Sequence, residues 1–288
     1  MKIAHLILAH SRPEQLGQLV SLLQHPSSHV YIHLDKKTKA ADFNYLKENR
    51  QVSFIKKNIR VYWAHYSIVQ AVLNSFEEII PEGYDYINVI SGQDFPIKSI
   101  ESFHHFLTIN YGKQFISCLS IQKDWPQAAV RLSTYDLPKY KFKGKYKLFG
   151  ILNKILPEKK FPLPYEMVGS SNWFTITKDA ASYILTEIKN NRAIKRFFKY
   201  TWAADEIIFS TILYNSSFKN MIKANLMYVD WNWEGASSGN PKVLSHNDLE
   251  SLKISDKFFA RKFDLSVTPT IIDDIHGLIY LRRQNSAF

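Results

Sequence analysis

The run 84–99, YDYINVISGQDFPIKS, contains an abrupt change of side-chain chemistry. Its first part, 86–90, is mostly apolar, aromatic and β-branched, as a buried strand requires. It then breaks at Ser91 and Gly92 into Gln93, Asp94, Phe95 and Pro96. A core strand that ends this way delivers polar groups to the mouth of a sheet, where ligands bind in open α/β folds. The plainer alternative is a turn whose Asp94 caps the next helix. Two other short apolar segments end as sharply: LILAHS places Leu8, Ala9 and His10 at a strand end, and YIHLDKK places Asp35, Lys36 and Lys37 there.

A second kind of chemistry lies further along. In AADEIIF, Glu206 precedes an apolar helix, so packing of Ile207, Ile208 and Phe209 would fix the direction of its carboxylate. One positioned carboxylate suffices for general-base work. The alternative for such an acid is a favourable place on a helix dipole, and that is the reading adopted for Asp205. Arg261 and Lys262 follow the apolar Phe258-Phe259-Ala260. Side-chain cations so placed can offset the charge of a diphosphate; an ordinary surface pair is the rival. No two aspartates stand two apart, and neither the ten histidines nor the lone Cys118 form a metal-ligand spacing. No metal or other cofactor is therefore expected.

The elements that must hold these groups alternate. Strands are expected near 2–8, 30–34, 52–55, 86–90 and 114–118, with helices near 13–23, 39–49, 66–80 and 100–110. Pro13 suits a first helical turn and Ser99 an N-cap. Such alternation predicts an α/β fold with a mostly parallel, Rossmann-like sheet covered by helices on both faces. The pattern dissolves over 121–164 and returns with a strand at 173–177, helices at 179–190 and 205–214, and a late strand at 227–229. The expected organisation is a single domain, 1–288: a first half at 1–120, a basic insert at 121–164 over one edge, and a second half at 165–288.

Composition bounds the partners. With 45% hydrophobic and 14% aromatic residues, 288 residues can bury a sizeable core. No twenty-residue apolar run encodes a membrane span, and the N-terminal stretch reads as a first strand. One cysteine rules out an intrachain disulfide and fits a reducing cytoplasm. A formal charge of +11 calls for nucleic acid, an anionic membrane surface or a phosphorylated substrate. No nucleic-acid motif accompanies the charge, so no nucleic-acid partner is expected. Much of the excess lies in 139–160, KYKFKGKYKLFGILNKILPEKK, where lysines interleave with large apolar residues. That segment is either a solvated loop with a short helix or a surface that rests on an anionic bilayer, peripheral to the membrane.

GQDFPIKS, GSSNWF, ADE and FARKFD, in this order and spacing, resemble glycosyltransferase family 14, the core-2/I-branching β-1,6-N-acetylglucosaminyltransferase and xylosyltransferase group. The resemblance runs from about 2 to 264. It implies a GT-A-like domain without an Asp-x-Asp motif. It also implies an inverting, metal-independent enzyme that moves N-acetylglucosamine from UDP-N-acetylglucosamine to a carbohydrate hydroxyl in a β linkage. A UDP-xylose donor is the closest alternative, and a non-catalytic sugar- or lipid-binding relative is a further one. The animal members are secretory-pathway proteins with an anchor, a stem and disulfides, from which this chain departs.

The resemblance also assigns roles. It makes Glu206 the catalytic base and Lys262 the lysine that grips the donor diphosphate, with Arg261 beside it. An upstream arginine of that grip falls on Gly239, so nearby Lys242 is the candidate substitute. Donor recognition falls on Leu8, Ala9, His10, Asp35, Lys36, Lys37 and Trp63, the last standing where the family usually has tyrosine. Trp231 and Trp233 match an aromatic pair that contacts the acceptor, with core packing as the rival for each. Arg131 aligns with an acceptor-side arginine, whereas an acidic residue of that site maps to Ser117. The acceptor, a glycan or glycolipid, is thus not carried over in detail.

Overall fold

The computed structural model describes residues 1–140, 142–231 and 240–285. Strand β1 (Ile3–Ala9) leads through helix α1 (Pro13–Leu22) to β2 (Ser28–Leu34), β3 (Val52–Phe54), α2 (Ser67–Ile79) and β4 (Tyr86–Ser91). Next come β5 (Asp94–Pro96), α3 (Ile100–Ile109), β6 (Gln114–Phe115), β7 (Leu119–Ser120), α4 (Ala129–Ser133) and α5 (Lys145–Ile155). Strands β8 (Val168–Gly169) and β9 (Phe174–Thr177) precede α6 (Lys178–Asn190), α7 (Arg192–Lys199) and α8 (Ile208–Tyr214). Then follow β10 (Ile222–Lys223), β11 (Met227–Val229), α9 (Leu249–Ile254), β12 (Phe259–Arg261) and α10 (Ile271–Asn285).

The main sheet runs β10-β6-β9-β4-β1-β2-β3. β1 pairs in parallel with β2 and β4, and β2 with β3, as the strand–helix alternation predicts. β9 enters antiparallel between β4 and β6. Side chains of β1 and β4 alternate between two cores, following the two-residue period of a strand. Ile3, Ile7, Tyr86 and Ile90 face Leu16 and Leu19 of α1 and Phe103 of α3. Ala4, Leu6, Ile87 and Val89 face Val72 and Phe76 of α2, Ile184 of α6 and Ile212 of α8. Each fully buried side chain of this size contributes roughly 1.5–3 kcal/mol. The Ser99 hydroxyl accepts from the Ser102 N–H at 3.1 Å and caps α3, as expected.

Several short elements escaped the sequence reading, β5 and β12 among them. The segment after β4, read as a strand end opening at the mouth of the sheet or as a turn, holds β5, which pairs antiparallel with β12, itself parallel to β11. The expected helix at 39–49 is a 3₁₀ segment, Ala40–Glu48. Within the basic stretch 121–164 the chain forms α4 and α5, the latter where a short helix was expected in 139–160.

A polar network crosses the first core. The Asn88 side-chain amide donates to His5 Nδ1 (3.0 Å), which leaves His5 Nε2 facing the Ser28 hydroxyl (3.3 Å). Ser28 Oγ in turn stands 2.8 Å from His104 Nε2, and the His104 ring stacks on His25 at 3.8 Å. Burial drives the His5 imidazole down to about 3 and that of His104 to about 4.

Candidate active site

The tips of β1, β2 and β4 are tied to one another by main chain. Asp35 N–H donates to the Ala9 carbonyl (2.8 Å), and Gly92 N–H donates to that of Leu8 (3.1 Å). Gln15, buried in α1, extends the tie: its amide donates to Gly92 (2.8 Å) and Phe263 (3.3 Å) carbonyls and accepts from Leu265 N–H (3.1 Å). The mouth of the sheet thus meets the loop that follows β12. Asp35 is buried at this junction. It accepts from the Lys37 backbone N–H (2.9 Å) and lies 3.4 Å from the Lys37 ammonium, which sits over the Tyr62 ring. His10 is close enough to Asp35, Lys37, Lys262 and Arg12 to sense their charges. Its imidazole is held below its ordinary range first by desolvation and then by those cations, with Asp35 opposing.

On β12, Arg261 stands opposite Asp94 in the β5 register, with Nε 3.7 Å from the carboxylate. Its guanidinium also lies over the Trp173 ring at 4.7 Å. Asp94 is fully buried and further accepts from the Ser91 N–H (2.7 Å) and hydroxyl (2.8 Å). Burial raises its carboxyl pKa, and Arg261 opposes the rise. Lys262 differs. It is half-buried and, among the described residues, has no carboxylate within ion-pair distance. Desolvation lowers its ammonium pKa, the charges of Arg261 and Arg12 add to the effect, and the carboxylates of Asp264 and Asp94 oppose it. A desolvated cation among other cations is set to take an anion.

Glu206 closes the other side. Arg131 Nη1 donates to its Oε2 at 2.6 Å, and the Arg131 guanidinium lies over Trp202 (4.3 Å) and Trp125 (4.8 Å). Trp63, exposed, meets Trp202 edge-on at 5.4 Å. Burial pushes the Glu206 carboxyl above the usual range, while Arg131 and then Arg261 pull it back. Its backbone is set by close contact: Ser170 N–H donates to the Glu206 carbonyl (3.0 Å), and a Cβ on Gly169 would come within 2.2 Å of that oxygen. Only glycine fits there. Ala203 (φ 50°) and Ala64 (φ 55°) both hold left-handed backbone, joined by a 2.8 Å bond from Ala203 N–H to the Ala64 carbonyl. Such conformations cost about 1–3 kcal/mol each and persist where packing enforces them.

Most expected site residues therefore converge. Arg261 is near enough to Glu206 and Lys262 to act on their charges, and Lys262 to act on His10, so the β1–β2 tips, the end of β12 and Glu206 lie within electrostatic reach of one another. Lys36 lies at the same β2 end, its N–H bonded to the Ile59 carbonyl (3.1 Å). Lys242 is near, its carbonyl accepting from Lys262 N–H, yet its ammonium is engaged by Asp248 (2.5 Å) and approached by Asp230 (3.9 Å). Trp231 is exposed, which removes core packing as its explanation. Trp233 and Gly239 lie outside the described residues. Asp205 stands in the first turn of the 3₁₀ segment Ala204–Glu206, as expected, yet it is buried with one carboxylate oxygen unpaired, and burial and then Glu206 raise its pKa.

The sequence reading missed three residues. Trp202 and Trp125 flank Arg131, and Trp202 stands in TWAADE only four positions before Glu206. Lys159 gave no local signal. It is buried, and its ammonium donates to the Arg131 carbonyl (3.0 Å), the Tyr200 carbonyl (3.1 Å) and the Thr201 hydroxyl (2.8 Å). Burial lowers it to about 7, with Asp136 opposing.

Comparison with known proteins adds a family. Residues 3–253 match the model of the Core-2/I-Branching enzyme family. The chain is 24% identical to rat xylosyltransferase 2 and 25% identical to the mouse protein of that name, in each case over 97% of this chain and 34% of the relative. It thus spans about a third of the length of the curated relatives it matches. Among solved structures, mouse xyloside xylosyltransferase 1 overlays with a TM-score of 0.41 and 11% identity, covering 90% of this chain and 97% of that one.

Proposed function

The chain belongs to the Core-2/I-Branching enzyme family of glycosyltransferases, and from that premise we propose that it is an inverting, metal-independent transferase. It moves N-acetylglucosamine from UDP-N-acetylglucosamine to a carbohydrate hydroxyl in a β linkage. The observation that supports this most is a half-buried, arginine-paired Glu206 within electrostatic reach of Arg261, next to a half-buried Lys262 that has no ion-pair partner among the described residues. Glu206 takes the acceptor proton as that oxygen attacks the anomeric carbon. Lys262 offsets the charge that grows on the departing UDP, the role a metal fills elsewhere. Among the described residues no three acidic, histidine or cysteine side chains gather as a metal site. Asp35, Lys37 and His10 border the place left for the nucleoside. Arg131 favours the charged form of Glu206 and aims it, and Trp63 and Trp231 offer exposed rings to sugar faces.

A second reading, a UDP-xylose donor, is favoured by the names of the curated relatives. A hydrolysis and transfer screen across UDP-sugars separates the two. Turnover of UDP-N-acetylglucosamine alone supports the first, and turnover of UDP-xylose alone supports the second. Turnover of neither, with UDP still bound, would indicate a binding relative.

A further inference from the structure

The exposed face of α5 carries Leu148, Ile151 and Ile155 at three- and four-residue intervals, 45%, 57% and 75% exposed. That spacing places them in one stripe. The opposite face, with Phe149 and Asn153, turns toward the protein, where Asn153 exchanges hydrogen bonds with the Tyr135 backbone (2.7 and 3.0 Å). Lys147 and Lys154 border the stripe, both exposed, and exposed Phe142 and Leu156 extend it at either end. Across 139–160 eight lysines face a single acid, Glu158. Large apolar side chains left in water with lysines at their edge are the pattern of a helix that lies in a membrane interface. The aliphatic chains enter the acyl boundary, and the ammonium groups stay among headgroups.

We propose that this face of α5, with the chain on either side of it, is a docking surface for an anionic lipid bilayer, built onto the Arg131 side of the cleft. Two observations fix the place. Lys159, just beyond α5, is bonded to the Arg131 carbonyl, and Lys145 at the start of α5 pairs with Asp136 at 2.8 Å. The surface is therefore fastened to α4, which carries the partner of Glu206, and to the chain just after it. The convex helix offers no groove for a peptide. Lysines rather than arginines edge it, which suits the diffuse charge of headgroups more than a bidentate partner.

The test is co-flotation of the whole protein with vesicles of phosphatidylcholine alone or mixed with phosphatidylglycerol, at about 0.05 and about 0.5 M salt. The parent should float with the mixed vesicles, more weakly at high salt, and not with the neutral ones. Two variants probe the surface: Leu148→Ser with Ile151→Ser and Ile155→Ser, and separately Lys147→Glu with Lys154→Glu. Each should lower partitioning at least about tenfold while keeping the parent's melting curve and UDP binding. Equal flotation with neutral vesicles, none with either, or variants that float like the parent would overturn the proposal. So would salt-sensitive binding of duplex DNA in place of vesicles. Flotation needs no turnover, so the result stands apart from the transferase reading.

Discussion

Arg261 and Asp94 face each other across two three-residue strands, and the carboxylate of that pair has no exposed surface. The guanidinium is further covered by Trp173. This pair locks the strand that presents Lys262 onto the turn that ends β4. Arg261 is thus a fixed cation within the fold, and Lys262 is the one left to a ligand.

Breaking that lock should cost stability before it costs chemistry. Asp94→Asn keeps the shape but strands the Arg261 charge beside Trp173. A loss of about 3–5 kcal/mol is expected for an uncompensated buried charge, read from urea midpoints. A variant as stable as the parent would show that the pair holds nothing.

Glu206→Gln cannot take a proton, so turnover should fall by roughly two to four orders of magnitude with UDP affinity little changed. Because burial raises the Glu206 carboxyl pKa, the acid limb of the rate profile should lie above the ordinary glutamate range. Arg131→Ala removes the strongest opposing charge and should move that limb to higher pH. An unmoved limb would detach Arg131 from the base.

Lys262→Ala should weaken UDP binding and slow transfer together, since its charge matters most as the leaving group forms. Lys262→Arg should keep part of both. Calorimetry with UDP and steady-state rates on the same samples decide it; parental UDP binding by the alanine variant would put the diphosphate elsewhere.

Excess EDTA should leave activity intact, and added manganese should not raise it. Loss on chelation with rescue by manganese would replace the side-chain cation account with a metal.

Acid should unfold the protein through its histidine network. His5 and His104 titrate lower when folded than the 6.5 of a free histidine. Between those values the unfolded chain binds more protons, so their contribution is complete above about 6.5 and lost as pH falls toward about 4 and then 3. The slope is at most about 1.4 kcal/mol per pH unit for each histidine. Urea midpoints at several pH values test it, and His5→Gln should flatten the curve.

What could be read from sequence was local. The strands at 3–9 and 86–91 announce themselves because burial on both faces demands near-continuous apolar runs, here interrupted by His5, Asn88 and Ser91. Ser99 was legible as a cap, and Glu206 and Lys262 by the apolar residues beside them. The β5–β12 pair was not, since strands of three residues carry no period and their partners lie far apart in the chain. The same distance hid the Arg131–Glu206 ion pair and the burial of Lys159: a lysine among seven others in 139–160 looks like its neighbours until Tyr200 and Thr201 are brought to it.

Gly169 bears on anyone wishing to redirect acceptor choice by mutagenesis. Because the main chain at 169 packs against the main chain at 206, the position of Glu206 is set without any side chain. A library that varies Ser117, Trp63 or Trp231 leaves that contact intact. Any side chain introduced at position 169 would push Glu206 from its place, and losses there would be mistaken for lost specificity.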